Sequence, residues 1–515
     1  NIWLLLILFI PIFSFILNGF LYPRSKILIP FIPLLIYITI YVLNCLKYDD
    51  IKLNIKIILL LALPVLSFYQ QPLAILDMIL CGIGILLYLK NIKSALLLLI
   101  IMPVAISFVN NQEENYVLSD KYQQVSKIKD IKLENDSRSD IFKEPLNTVN
   151  QVKNDVFRTS IYSSISNTRY NQFYYDIINN PISIRNRVAC LSNSNIFFQG
   201  MMGVKTIYSE NIVPIGYQEI EKNVYQNKDV LPLIYASNDL FSCKEFEKLS
   251  FPQTLDTIYN NVIVETDQIN YQSKVTETKL EVSVKSKSDY LGIIKLSNGY
   301  RINTKKKAKL ELDVNQDLFN KIMIIEFDLK KVKLIKNTDT SITINGVRNR
   351  LSSLNAAYPN KNTHFTYILS QNEAIDKLEI EFSKGRYDLS DIRVYTIDYD
   401  IIKEHNQEVD TFKGIYNQNG ILADGEIDVK EDGYLVTSFA YQNGYKILVD
   451  DKEVNSECVN KAFLGAKISK GKHKVKIMFK PPMKDIAFIV SVLGILLLAF
   501  QGRCKKGEKR IERTG

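Results

Sequence analysis

Histidine and cysteine are scarce in this chain of 515 residues, which has three histidines and six cysteines. The cysteines show no CxxC spacing, so the sequence indicates neither a cysteine metal motif nor a disulfide framework. His364, His405 and His473 are far apart, which gives zinc-dependent chemistry little support. We therefore expect no metal and no cofactor.

The motifs of several enzyme classes are also missing. There is no glycine-rich phosphate loop, no GxSxG elbow and no HExxH sequence. Neither Asp49-Asp50 nor Asp450-Asp451 makes a persuasive acid and base pair, so we assign no catalytic residue. The formal charge of +9 comes from lysines that alternate with acids and apolar residues. This pattern is typical of a solvated face, and we expect no nucleic-acid partner.

Long apolar runs dominate the first 109 residues, a polar stretch of more than 370 residues follows, and one apolar run stands near the end. A helix needs about 20 apolar residues to cross a bilayer. The candidate spans are 2–17, 27–46, 55–69, 72–89, 95–109 and 486–500. The chain enters its first run at Asn1 without a charged n-region, so we expect its natural N-terminus to be missing.

Lysine and arginine distinguish the two sides of the membrane. They collect around residues 47–56 and 90–93 and in the basic tail 502–515, which we place in the cytoplasm. The remaining connections, and the large polar region with them, are then extracytoplasmic. The sequence therefore predicts a multi-pass membrane protein with a cytoplasmic C-terminus.

Four polar residues lie in the connection after the first span: Asn18, Tyr22, Arg24 and Lys26. The two cations are on the side that the charge rule disfavours. The two side chains either extend to lipid phosphates and anchor the helix end, or hold the phosphate of a lipid-linked donor. Asp77, within the fourth span, either pairs with a polar face of a neighbouring helix or has a catalytic role.

We divide the chain into transmembrane helices (1–109, about five), a mixed α/β unit (110–261), a β-sandwich (262–400), a second small β unit (401–483), a last transmembrane helix (484–501) and the tail (502–515). In the mixed unit, "KIKDIKLENDSRSD" is typical of a solvated connector. An aromatic and asparagine-rich segment follows, which contains Arg158, Tyr162, Ser163, Asn167 and Tyr170. Such residues suit sugar contacts, but equally an interdomain packing surface.

Apolar residues alternate with polar ones in the two β units. "KLEVSV" places Leu280, Val282 and Val284 on one face, and "SITI" and "KLEIEF" show the same period. In the second unit, Gln442-Asn443-Gly444 and Asp450-Asp451-Lys452 are predicted turns. The strand "GKHKVKIMF" then places His473 on the covered face.

Several stretches resemble the C-terminal part of the bacterial YfhO family of large polytopic membrane proteins. They include "LNGFLYPRSKILIPFIPLL", "DVFRTSIYSSISNTRYNQF", "LSFPQTLDTIYNN" and "GYLVTSFAYQNGYKILVDDKEV". The family is similar to C-type glycosyltransferases, so the resemblance implies an N-terminally truncated architecture of that type. It implies transfer of a sugar from a polyprenyl-phosphate carrier to a cell-envelope polymer such as lipoteichoic acid. In that fold the catalytic acid usually lies in the first extracytoplasmic loop, which we expect this chain to lack.

The partners so implied are membrane lipid, a polyprenyl-phosphate sugar donor and a glycopolymer acceptor. The candidate sugar or acceptor surface is then formed by Arg158, Tyr162, Ser163, Asn167 and Tyr170. The alternative is a non-catalytic membrane-anchored protein whose β domains bind polysaccharide or partner proteins. A transporter is less favoured, because Asp77 is nearly the only ionisable residue within the spans.

Overall fold

The computed structural model describes residues 10–17, 29, 31–48, 72–90, 92, 104, 136–143, 146, 149, 157–163, 166–332, 338–354, 356, 358–418 and 421–511. The chain forms two compact units, Asn1–Val117 and Leu118–Gly515. In the first unit the described helices are α1 (Pro11–Leu17), α2 (Ile32–Lys47) and α3 (Pro72–Leu89). Proline occupies the first turn of α2 and the first position of α3, where the missing N–H costs no helical hydrogen bond.

No helix among the described residues combines the length and the apolar character that a bilayer crossing requires. The predicted polytopic helical architecture therefore stays a prediction. The predicted β-rich region is confirmed, because strands make up most of the regular secondary structure described in the second unit.

The mixed unit opens the second compact unit. Its strands are β1 (Arg138–Ile141), β2 (Ile161–Tyr162), β3 (Ala189–Cys190), β4 (Val204–Tyr208), β5 (Gln218–Glu221), β6 (Val224–Gln226), β7 (Ile234–Ser237), β8 (Leu240–Ser242) and β9 (Val262–Val264). Its helices are α4 (Thr168–Gln172), continued by a π-helical turn (Phe173–Ile177), α5 (Ile196–Met201), α6 (Cys243–Phe246) and α7 (Gln253–Asn260). Four strands form one sheet in the order β1-β4-β6-β5, with β1 parallel to β4.

Strand β1 corrects part of the sequence interpretation. "RSDI" was included in the solvated connector except for its last residue, yet all four residues of β1 are buried. Arg138 and Asp140 are charged, but each has partners inside the protein. Asp140 Oδ1 accepts from the backbone N–H of Thr159 at 3.0 Å, and Oδ2 accepts from its hydroxyl at 2.5 Å. Composition alone could not separate these bonded charges from solvated ones.

The first β-sandwich follows. Its strands are β10 (Thr276–Glu277), β11 (Val282–Lys287), β12 (Gly292–Leu296), β13 (Gly299–Thr304), β14 (Ala308–Val314), β15 (Lys321–Lys331), β16 (Thr340–Ile344), β17 (Val347–Leu351), β18 (His364–Leu369), β19 (Lys377–Phe382) and β20 (Gly385–Asp398). One sheet has the order β12-β13-β20-β15-β18, with β10 also paired to β20, and the other has the order β11-β14-β19-β16-β17.

The alternation predicted for this sandwich holds in two strands and fails in one. Ile342, Ile344 and Phe382 are at most 3% exposed and lie in the core between the sheets. Val282 and Val284 are instead 42% and 65% exposed, so the prediction that these two side chains are covered was wrong. The reason is position, because β11 is an edge strand and all six of its residues are exposed.

Helix α8 (Asp400–Glu408) leads into the second sandwich. Its strands are β21 (Asp410–Thr411), β22 (Lys413–Gln418), β23 (Ile421–Val429), β24 (Gly433–Ala440), β25 (Tyr445–Val449), β26 (Lys452–Val454), β27 (Glu457–Val459), β28 (Phe463–Ile468) and β29 (Gly471–Phe479). Helix α9 (Lys484–Ile511) ends the described chain. Both predicted turns are confirmed, and Asp450 and Asp451 have φ of 52° and 62°, as a two-residue hairpin of type I′ requires.

The second sandwich contains a strand from the mixed unit. Its sheets have the orders β21-β7-β24-β28-β27 and β22-β23-β29-β25-β26. Strand β7 lies between β21 and β24 and is antiparallel to both, with Ser237 opposite Tyr434 and Ile234 opposite Thr437. The two parts of the chain are therefore joined through backbone hydrogen bonds within one sheet.

Arg138 makes a second connection between the mixed unit and this sandwich. Its guanidinium donates to the carbonyl of Met202 at 2.5 Å, to Ser438 Oγ at 2.5 Å and to the carbonyl of Ser438 at 2.9 Å. Burial lowers the pKa of Arg138, and the neighbouring Tyr170 and Asp140 partly oppose this effect.

Replacing Arg138 tests this connection. Arg138→Ala leaves two buried carbonyl acceptors without a donor, so we expect it to lower the free energy of unfolding by at least about 2 kcal/mol. Arg138→Lys keeps the charge but loses the planar fork, so we expect an intermediate loss. Urea unfolding of the purified protein measures both, with Arg185→Ala as the control because Arg185 is 55% exposed. Equal stability of the Ala variants at positions 138 and 185 would contradict the assignment.

Candidate functional site

The residues predicted to bind a lipid phosphate lie outside the described part of the chain. Asn18, Tyr22, Arg24 and Lys26 are all in this group. Asp77 falls within α3, and only its backbone position is described. The assignments made to these five residues stay predictions.

Two of the five residues predicted to contact sugar have well-defined packing roles. Asn167 caps α4, since its Oδ1 accepts from the N–H of Tyr170 at 3.0 Å, and its Nδ2 donates to the carbonyl of Tyr441 at 2.8 Å. The ring of Tyr170 lies 6.2 Å from that of Phe173 and 6.3 Å from that of Phe463. These contacts favour the packing alternative for Asn167 and Tyr170.

Arg158, Tyr162 and Ser163 lie close to these two in sequence, and Tyr162 is 42% exposed. As far as the described residues go, none of the five predicted residues lines the groove described next. Their assignment as a sugar surface remains a prediction.

A groove lies between the mixed unit and the first sandwich. It consists of two adjoining cavities of about 800 Å³ and 970 Å³, and the polar face of the sheet that contains β16 and β19 forms one wall. Both cavities are lined by Lys143, Ser194, Ile212, Thr343, Gly346, Val347 and Glu381.

The polar wall follows from the alternation of the strands. Ile342 and Ile344 point into the sandwich core. Thr343 lies between them and Ser341 lies before them in the strand, so both hydroxyl side chains point to the opposite face and into the groove. Glu381 reaches the groove in the same way from β19. The two-residue alternation that places apolar side chains in the core therefore also places hydroxyl and charged side chains in the groove.

The first cavity carries a surplus of positive charge. Its charged residues are four cations and one carboxylate, a formal balance of +3: Lys143, Lys307, Arg348, Lys384 and Glu381. Lys307 Nζ lies 2.5 Å from the Glu381 carboxylate, and this hydrogen bond lowers the pKa of Glu381. The first cavity therefore favours anionic ligands.

The second cavity differs in charge. It has three lysines and four glutamates, a formal balance of −1: Lys143, Lys309, Lys377, Glu311, Glu373, Glu379 and Glu381. No histidine or cysteine occurs among the described residues that line either cavity. The groove therefore offers hydroxyl, amide, lysine, arginine and carboxylate groups for chemistry or binding.

One buried hydroxyl in the first cavity lacks a partner. Ser192 is 9% exposed, and its Oγ has no hydrogen-bond partner in the described structure, although its N–H donates to Ser160 Oγ at 3.1 Å. Tyr174 beside it is fully bonded, since its hydroxyl donates to the carbonyl of Leu191 at 2.6 Å and accepts from the N–H of Leu191 at 3.2 Å. Burial raises the pKa of Tyr174 well above its usual value, so this phenol stays protonated and positions the segment.

Asparagine side chains fix the two walls to each other. Asn349 Oδ1 accepts from the N–H of Ile182 at 3.0 Å, and Asn360 Nδ2 donates to the carbonyl of Ile184 at 3.0 Å. Both asparagines are at most 4% exposed. Because these bonds join the first sandwich to the mixed unit, the groove has a defined width.

Gly346 allows the walls to approach where the two cavities meet. Its φ is +79°, and a Cβ at this position would lie 2.9 Å from Ile212 Cδ1. Only glycine combines this backbone conformation with so close a contact. Asn345 and Gly346 form the two-residue turn between β16 and β17, which the asparagine-glycine pair indicates in the sequence.

Comparison with known proteins identifies the family. The family described as "Bacterial membrane protein YfhO" matches residues 1–491. The chain belongs to the YfhO family. A curated relative, the protein YfhO of Bacillus subtilis (strain 168), is 23% identical over 369 residues, which cover 67% of this chain and 41% of the relative. The predicted resemblance is confirmed, and the chain spans less than half the length of that YfhO relative.

Likenesses to solved structures are weak. PNGF-II matches with a TM-score of 0.15 and 8% identity over 39% of this chain and 61% of its own. Latent PorU of Porphyromonas gingivalis matches with a TM-score of 0.16 and 10% identity, over 53% of this chain and 27% of the PorU chain. The CBM32-1 and CBM32-2 domains of Clostridium perfringens ZmpB match with a TM-score of 0.15 and 10% identity, over 41% of this chain and 100% of the ZmpB chain. At such TM-scores these likenesses carry no argument about this YfhO chain.

Proposed function

We propose that the chain is part of a membrane glycosyltransferase that transfers a sugar from a polyprenyl-phosphate carrier to an extracytoplasmic cell-envelope polymer of the lipoteichoic acid type. Membership of a bacterial membrane protein family supports the membrane setting. The observation that carries the proposal is the first cavity of the groove, with its four cations and one carboxylate. In this proposal the groove binds the acceptor polymer.

The chemistry of the acceptor matches the composition of the cavity. A polymer with phosphate and sugar units needs cations for the phosphates and small hydrogen-bonding groups for the hydroxyls. Arg348 and Lys384 supply cations, while Ser192 and Ser341 supply hydroxyl groups in the same cavity. The unpartnered Ser192 Oγ supports a ligand hydroxyl or water at this place.

The transfer step needs groups of another kind. A carboxylate must activate the acceptor hydroxyl, and cations must stabilise the departing phosphate. We propose Arg24 and Lys26 for the departing phosphate and assign no carboxylate in this chain to the first role. In this proposal the groove only binds the acceptor, and the transfer step takes place at the membrane.

A non-catalytic envelope protein is the alternative, and the same groove favours it. Such a protein would hold the polymer in the cavity without transferring sugar. Loss of binding on changing the groove is therefore expected for both functions, whereas dependence of sugar transfer on Arg24 and Lys26 is expected for the enzyme alone.

Neutralising two groove cations tests polymer binding. We expect the double variant Arg348→Gln, Lys384→Gln to weaken binding of poly(glycerol phosphate) by at least about tenfold, because a charge-assisted hydrogen bond contributes ~1.5–3 kcal/mol. Calorimetric titration of the detergent-purified protein measures this, with neutral dextran as a second ligand. Added salt should weaken the wild type more than the variant.

The matched control replaces two exposed lysines of the second sandwich, Lys446→Gln and Lys472→Gln, whose side chains are 46% and 85% exposed. It should bind like the wild type. Equal affinity of the groove variant and this control would show that the groove is not the polymer site.

Replacing Arg24 and Lys26 with glutamine distinguishes the two functions. We expect the membrane-embedded protein to lose sugar incorporation into the envelope polymer but to keep polymer binding, because only the departing phosphate loses its counter-charges. Radiolabelled sugar incorporation in membranes measures this, with Lys47→Gln, Lys52→Gln as the control on the predicted opposite side. Normal incorporation in the Arg24, Lys26 variant would reject its role in transfer and favour the binding protein.

A further inference from the structure

A histidine and two carboxylates converge away from the groove. Asp239 lies in the turn between β7 and β8, and His405 and Glu408 lie in α8. One ligand atom from each residue lies within 4.8 Å of the other two. Residues three apart in a helix lie on the same face, so α8 presents both of its ligands toward the turn.

His405 gives an independent indication that a ligand belongs here. It is 5% exposed, and no hydrogen bond to either of its ring nitrogens occurs among the described residues. Its ring contacts that of Tyr259, with centroids 6.0 Å apart. A neutral imidazole nitrogen that accepts no hydrogen bond keeps its lone pair available for a metal ion.

The two carboxylates also lack a positive partner. Within the described part of the chain no lysine or arginine forms an ion pair with Asp239 or Glu408, and both residues are exposed. The Asp239 carboxylate accepts a long hydrogen bond of 3.4 Å from Ser237 Oγ. Two unpaired carboxylates this close to each other gain from a shared cation.

The position of α8 is fixed by the residue after the histidine. Asn406 Oδ1 accepts from the hydroxyl of Tyr259 at 2.9 Å, and Asn406 Nδ2 donates to the carbonyl of Asp229 at 2.9 Å. These bonds hold the helix against the mixed unit, so His405 and Asp239 keep their relative positions. Such supporting contacts are typical of protein metal sites.

We propose that Asp239, His405 and Glu408 bind a zinc ion. One nitrogen and two oxygen ligands suit zinc, which commonly takes three protein ligands and a water, whereas calcium prefers oxygen ligands alone. Three atoms within 4.8 Å of one another lie within roughly 2.8 Å of a common centre. Zinc bonds are ~2.0–2.2 Å long, and small rotations of the two exposed carboxylates close this difference.

The ion would join three parts of the second compact unit. Helix α8 connects the two sandwiches, and Asp239 lies two residues after the end of the shared strand β7. Zinc at this place stabilises the junction in addition to the backbone pairing. This inference is independent of the proposed sugar transfer, because it concerns a different site and a different ligand.

Zinc titration tests the site. The detergent-purified protein, prepared without a histidine tag and stripped with chelator, should bind one equivalent of Zn²⁺ by calorimetry and retain it after dialysis, measured by mass spectrometry of the metal. Bound zinc should also raise the midpoint of thermal unfolding, because the ion binds only the folded state. Absence of binding by the wild type, or tighter binding of Ca²⁺ than of Zn²⁺, would overturn the proposal.

Variants locate the ion. Both His405→Gln and Glu408→Gln should weaken zinc binding by at least tenfold and abolish the thermal shift. Glu404→Gln in the same helix and His473→Gln in the second sandwich are matched controls and should bind like the wild type. Because His405 is buried, Glu408→Gln decides the result if the His405 variant fails to fold. Wild-type affinity in Glu408→Gln would overturn the assignment.

Discussion

Strand β7 imposes the constraint on which the rest of the described structure depends. It is part of the mixed unit in sequence but lies inside a sheet of the second sandwich, between β21 and β24. A strand in this position satisfies backbone groups on both of its edges, so removing it would leave one edge of each neighbour unpaired. The mixed unit and the second sandwich are therefore parts of one body, and Arg138 strengthens the same junction with hydrogen bonds to Ser438.

This arrangement gives the groove its fixed walls. The mixed unit is held on one side by β7 and Arg138, and on the other by Asn349 and Asn360 of the first sandwich. A binding site between such walls loses little conformational entropy when a ligand arrives. The proposed acceptor site and the proposed zinc site thus depend on the same interlocked framework, although they lie at different junctions.

The sequence was informative where structure is local. Alternation placed Ile342, Ile344 and Phe382 in a sandwich core, and the Asp450-Asp451 pair marked a hairpin, because side-chain period and turn conformation depend on adjacent residues. It misplaced Val282 and Val284, since an edge strand alternates without being covered.

The shared strand and the groove could not be predicted from the same patterns. Strand β7 has four residues, and its partner β24 begins almost 200 residues later, so no local period connects them. Lys143 and Arg348 meet in one cavity for the same reason, through the tertiary fold alone. "RSDI" was assigned to a solvated connector because charge usually indicates solvent, whereas Arg138 and Asp140 are buried with partners supplied by distant segments.

Native-state hydrogen exchange tests most directly whether the mixed unit and the second sandwich form one body. Exchange is followed in the purified protein while the denaturant is raised in small steps below the unfolding transition. Amides of β7 should exchange with the same opening free energy as those of β24 and β28, because the three strands belong to one sheet. Exchange of β24 and β28 through a separate, less stable opening while β7 stays protected would contradict a shared, interlocked fold.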